Sequence, residues 1–133
     1  MLKVLEGGST GELELSGTRS ELLALGRKLR SGRGEILLSK VSNAFPYARS
    51  LLRIEFQQAS GKIRMSSSGG GEALTIEGRL ESLCLLAENI ESFALEADQD
   101  DHLHVDYFPG HDYLDKWSGS LVVAIDSDSI QSS

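Results

Sequence analysis

The sequence predicts an α+β domain in which a mostly antiparallel sheet of about eight strands carries two helices on one face. Three observations predict it. Shifted by 61 residues, the first half lies over the second without a gap: Leu13 and Leu15 meet Leu74 and Ile76, Gly17 meets Gly78, and Leu22, Leu25 and Leu29 meet Leu83, Leu86 and Ile90. In both copies an alternation of period two gives way to a period near 3.6 just after Gly17 and Gly78. The 133 residues suffice for one buried core and are too few for two. A solenoid needs at least three repeats, so two copies of β-β-α-β-β, about 1–60 and 61–126, imply a pseudo-twofold single domain. Residues 127–133 form a polar tail expected to be flexible.

The elements follow in order. Residues 2–6 and 11–16 form a hairpin around Gly7-Gly8-Ser9-Thr10-Gly11, with Leu13 and Leu15 on one face. Thr18 caps a helix over 19–31, and Glu21, three residues on, completes a capping box. Leu22, Leu25 and Leu29 make its apolar stripe, while Arg27, Lys28 and Arg30 suit the negative end of the helix dipole. Gly32 and Gly34 stop the helix before a strand over 35–39, and Ala44-Phe45-Pro46-Tyr47 reads as loop. Residues 50–58 form a strand with Leu52, Ile54 and Phe56 on its dry face. A second hairpin uses residues 62–67 and 73–77 around a Ser- and Gly-rich turn. The second helix covers 79–93 and buries Leu83, Leu86, Ile90 and Phe93, with Cys84 expected as a buried, inert thiol. Residues 102–108 and 120–126 are the last two strands.

Composition excludes several classes. Apolar residues are 40 % and charged residues 25 %, values of a globular chain, and no apolar run is longer than that from Leu121 to Ile125, far short of the roughly 20 residues a membrane helix needs. The N-terminal residues lack the pattern of a secretory signal, so the expected location is the cytoplasm, with no membrane partner. The net charge of −7 is unevenly spread: residues 1–66 hold eleven Lys and Arg against six Asp and Glu, residues 67–133 two against fourteen. An acidic half repels phosphate backbones, which argues against nucleic acid, and attracts a basic protein.

The stretch with most chemistry is residues 101–117. All three histidines lie in it. In a strand, His102, His104 and Asp106 share one face, with Leu103, Val105 and Tyr107 on the core side. These residues with His111 could bind a metal, but i and i+2 on a flat strand stand about 6.6 Å apart, awkward for one zinc, and no H-E-x-x-H or CxxC completes a site. No metal and no other cofactor is therefore expected. Gly7-Gly8-Ser9-Thr10-Gly11 fits the G-x-S-x-G pattern but reads as a hairpin turn and not as the strand-to-helix elbow a nucleophile needs, and there is no phosphate loop, so no enzyme is expected and no catalytic residue is assigned. Past the turn Pro109-Gly110 and His111, the loop either projects Tyr113 and Trp117 as interface anchors or folds Tyr113, Leu114 and Trp117 back over one end of the core.

Three passages together carry a family resemblance: Leu13-Glu14-Leu15-Ser16-Gly17-Thr18-Arg19-Ser20-Glu21-Leu22, then Pro46-Tyr47 followed by Leu52-Arg53-Ile54-Glu55, and above all His102-Leu103-His104-Val105-Asp106-Tyr107-Phe108-Pro109-Gly110-His111-Asp112-Tyr113-Leu114. With them the chain resembles the immunity protein 32 family of bacterial polymorphic toxin systems. The resemblance runs from about residue 11 to 126 and departs from the family pattern at Asp112 and Lys116-Trp117. It implies a small cytoplasmic α+β protein that protects its producer by binding a cognate toxin. The acidic half fits a basic toxin such as a nuclease. The expected contact set is His102, His104, Asp106, His111, Asp112, Tyr113, Asp115 and Trp117, with Asp98, Asp100 and Asp101 as a steering rim. A metal-binding protein built on His102, His104 and His111 and a self-associating module pairing through an edge strand, as a homodimer, are the alternatives.

Overall fold

A computed structural model of the chain describes residues 2–7, 12–40, 49–68, 72–98 and 100–126. The loop expected at residues 44–47, most of each hairpin turn and the polar tail lie outside the described residues. Both predicted hairpins form. Strand β1 (Lys3–Glu6) pairs antiparallel with β2 (Leu13–Gly17), and further on β6 (Arg64–Ser68) pairs antiparallel with β7 (Ala73–Gly78). The paired glycines that end β2 and β7 have one physical reason. A Cβ on Gly17 would lie 2.4 Å from the Leu2 side chain, and one on Gly78 would lie 2.9 Å from the side chain of Ile63 and 3.0 Å from its Cα. In each half the apolar residue that opens the first hairpin strand packs onto the glycine that closes the second.

A helix follows each hairpin: α1 (Arg19–Arg30) and α2 (Leu80–Glu96). At α1 the capping box is complete, with Thr18 Oγ1 accepting from Glu21 N at 3.2 Å and Glu21 Oε1 accepting from Thr18 N at 2.9 Å. The first turn of α2 follows Arg79, which provides no side-chain cap. The two helices lie against each other. Arg19, at the start of α1, donates to the carbonyls of Ala94 and Ala97 at the end of α2. It thereby brings a cation to a helix end whose own last turn has none. Leu22, Leu25 and Leu29 meet Leu83, Leu86 and Ile90 in one core cluster, joined by Val4, Leu13 and Leu15 and by Ile54, Met65, Leu74 and Ile76. Full burial of each such side chain contributes about 1.5–3 kcal/mol. Cys84 is half-buried rather than buried.

The sheet architecture corrects the expected single antiparallel sheet of eight strands. The remaining strands are β3 (Gly34–Leu37), β4 (Arg49–Ser50), β5 (Arg53–Gln58), β8 (His102–Val105) and β9 (Leu121–Ile125). The nine strands among the described residues form two mixed sheets, ordered β4-β1-β2-β9-β8 and β3-β5-β7-β6. Strand β9 runs parallel to β2, and β5 runs parallel to β7. Each sheet thus joins a hairpin that precedes a helix in one half to the hairpin that follows the helix in the other. Local alternation specifies a hairpin but not which strand lies beside it, and a parallel neighbour requires a long crossover.

Two side-chain contacts join residues 61 positions apart. Ser67 Oγ donates to Glu6, whose other oxygen lies 2.9 Å from Arg49 Nε. Arg30 grips Glu91 through Nε and Nη2, the shortest contact being 2.6 Å. Among the described residues no helix is long and apolar enough to cross a membrane.

Candidate functional site

The passage that carries the family resemblance surrounds β8, an edge strand. Ala97 is buried at the end of α2. Beyond it Asp101 Oδ2 accepts from Asp98 N at 2.9 Å and Asp101 N donates to Asp98 O at 3.0 Å. Strand β8 pairs antiparallel with β9, from His102 opposite Ala124 to Val105 opposite Leu121. His102 and His104 are exposed, Leu103 is half-buried and Val105 buried, the alternation expected of a strand with one wet face. The two imidazoles stand 6.5 Å apart between centroids. Among the described residues no group of three His, Cys, Asp or Glu side chains is placed to hold a metal ion.

The strand ends at Val105, earlier than residue 108. Tyr107, expected in the core, is 40 % exposed, and Phe108 is 58 % exposed. The residue before a proline is held away from helix, and Pro109-Gly110 then makes a turn closed by His111 N donating to Phe108 O at 3.0 Å. Gly110 has φ +86, the conformation required at the third position of a type II turn.

His111 is not a surface contact. It is only 8 % exposed, wedged against the Phe108 ring at 4.7 Å and the Tyr113 ring edge-on at 4.6 Å. Its Nδ1 accepts from Tyr113 N at 3.1 Å and Leu114 N at 3.0 Å, so the ring is neutral with its proton on Nε2. Burial holds this imidazole below the usual histidine pKa; Asp112 partly offsets that and Lys62 reinforces it. Tyr113 is 6 % exposed, and its hydroxyl accepts from Asn89 Nδ2 at 2.6 Å. Burial pushes the phenol up, with the Asn89 bond acting the other way. Tyr113 and Leu114 thus fold back over the core. Their segment is tied to the other sheet, since Ile63 N donates to Tyr113 O and Asp115 N to Ile63 O, both at 2.8 Å.

Trp117 parts from its neighbours and projects, 69 % exposed, with Lys116 Nζ 5.3 Å from its ring centroid. Asp115 is half-buried: its Oδ1 accepts from Trp117 N at 2.8 Å and lies 4.0 Å from Arg64 Nη2. The remaining carboxylates of the acidic half include paired ones and ones without an ion-pair partner among the described residues, and Glu81, Glu88 and Glu96 on α2 belong to the second group. Glu91 and Asp126 are paired with Arg30 and Lys3. Asp98, Asp100, Asp101, Asp106 and Asp112 are all exposed and have no ion-pair partner among the described residues. Three of them enter β8 and two follow it.

The structure leaves His102, His104, Asp98, Asp100, Asp101, Asp106, Asp112 and Trp117 exposed, and the segment that carries Trp117 runs along Ile63 and Met65 of the other sheet. It leaves Asp115 partly engaged and takes His111 and Tyr113 inside. Sequence reasoning missed Tyr107 and Phe108 as surface aromatics; Pro109 was the signal that the strand could not carry its alternation that far. Neither a curated protein nor a solved structure matches the chain. Residues 73–126, from β7 through α2 and β8 to β9, do match the family model of immunity protein 32, the family that the sequence resembles.

Proposed function

We propose that this protein is an immunity protein of the producing cell's cytoplasm, which binds and neutralises a cognate basic toxin and performs no catalysis of its own. The observation that carries this reading is the set of exposed aspartates before and after one edge strand that have no ion-pair partner among the described residues, together with the exposed rings of Tyr107 and Phe108 just past the strand and of Trp117 further along the chain. Carboxylates without an ion-pair partner among the described residues can meet a cation on a partner, and long-range attraction accelerates the encounter. Rigid aromatic anchors supply the contact area that charge alone does not. Occupying the phosphate-binding cleft of a basic toxin with such a surface would block it.

The test is to mix the purified protein with the product of the neighbouring gene at rising salt. The expected result is tight association at low salt that weakens as salt rises. Absence of association at low salt overturns the reading, and association indifferent to salt removes the acidic surface from it.

The two halves read as copies of one unit related by a pseudo-twofold axis. Residues that touch their own counterparts must lie on such an axis, and Glu6 with Ser67 and Arg30 with Glu91 are separated by the same 61 positions that align the halves. The equivalent packing of Leu2 on Gly17 and Ile63 on Gly78 supports the same reading.

A further inference from the structure

The backbone of β8 offers more than the charges beside it. Ser120 O accepts from Leu13 N at 3.1 Å, and Asp126 N donates to Gly17 O at 2.8 Å. Even-numbered residues of β9 therefore turn their backbone groups toward β2, and the odd-numbered Leu121 and Val123 turn theirs toward β8. Their partners across the ladder are Val105 and Leu103. It follows that the N–H and C=O groups of His102 and His104 point away from the sheet, and no strand lies beyond them among the described residues.

We infer that the partner docks by adding a strand to this edge, the backbone of an extended basic segment pairing with His102 and His104. This rests on the toxin-binding reading above and specifies its mode. Main-chain bonds of an added strand supply affinity, and flanking side chains supply selectivity. The selectivity here is for cations: Asp101 immediately precedes the strand and Asp106 immediately follows it. At roughly 3.3 Å per residue they stand about 17 Å apart, so the fitting segment carries Lys or Arg about five residues apart. A second copy of this chain fits poorly, because antiparallel pairing of two β8 strands with His102 opposite His104 sets Asp106 of one against Asp100 of the other.

The experiment uses the full chain and the product of the neighbouring gene. Amide hydrogen exchange is followed with and without that protein, and two variants are compared. His104→Pro removes an outward N–H without touching the β9 ladder, whereas His104→Ala removes only the imidazole. The expected result is exchange at His102 and His104 slowed at least about tenfold in the complex, with binding weakened about tenfold by His104→Pro and much less by His104→Ala. A complex that leaves these amides unprotected overturns strand addition and leaves the toxin-binding reading standing; the wild-type exchange decides this even if His104→Pro fails to fold. No complex at low salt overturns both. Protection of the same amides in a homodimer of the protein alone assigns the edge to a second copy and also overturns the inference.

Discussion

Strands β3 and β8 occupy equivalent places and face opposite electrostatic situations. Each has four residues, each follows a helix, and each lies at the edge of its sheet beside a strand that runs parallel to the other half's hairpin. Next to β3, Arg53 gathers the nearby carboxylates: Glu55 at 2.6 Å, Glu35 at 3.4 Å and Glu72 at 3.8 Å. The hydrogen bond that Arg53 donates to Glu55 is the main cause that raises this guanidinium's pKa. Among the described residues β8 has no counterpart of Arg53, and the aspartates before and after it lack ion-pair partners. The same architecture thus has one edge whose charges are met by Arg53 and one whose flanking aspartates have no ion-pair partner among the described residues.

Reversing the charge of β8 should break this contrast most strongly. The double variant Asp101→Lys, Asp106→Lys is expected to weaken association with the neighbouring gene product on the order of a hundredfold, about 2.7 kcal/mol, in low-salt calorimetry. Glu35→Lys at the other edge should leave that association unchanged. Equal losses from both would erase the distinction between the edges.

The next effect concerns the loop that follows β8. His111→Ala strands two buried backbone N–H groups and should cost about 1–3 kcal/mol in urea unfolding. The pH dependence sharpens this. The imidazole has a lowered pKa in the folded state, so the unfolded chain binds the proton more readily. Its contribution is fully present above the ordinary histidine value near 6.5 and is lost as pH falls from there toward the folded pKa. The stability difference between wild type and His111→Ala should therefore narrow below about pH 6.5; a difference constant from pH 8 to 5 contradicts the neutral-acceptor role.

What was legible in the sequence was local. The capping box at Thr18 and Glu21, the stripe of Leu22, Leu25 and Leu29 and the two hairpins need only neighbours in the chain to form. The division into two sheets was not legible, because the alternation in residues 50–58 and 120–126 is the same whether the adjoining strand is parallel or antiparallel. Leu52 shows another limit: β5 begins at Arg53, so Leu52 is exposed while Leu51 is buried. At the site, the exposed face of His102 and His104 followed from period two. The burial of His111 did not, since its satisfaction depends on amides of the turn after it. The unpaired state of the aspartates also required the structure, because Glu91 and Asp126 in the same acidic half do find cations.

Smaller effects distinguish the two halves as scaffolds. Arg79→Asp should supply α2 with the side-chain cap that α1 already has, a gain of about 1 kcal/mol in thermal or urea unfolding. Arg30→Ala should cost least, because the ion pair with Glu91 is exposed, and raising the salt should shrink the loss further.

The most direct measurement is the salt dependence of association for wild type and for a variant with Asp98, Asp100, Asp101, Asp106 and Asp112 all changed to Asn. A steep fall in affinity with salt for wild type, and weak, nearly salt-independent binding for the variant, is the predicted outcome. Superimposable curves for the two proteins would contradict the claim that unpaired charge around β8 is what this molecule presents to its partner.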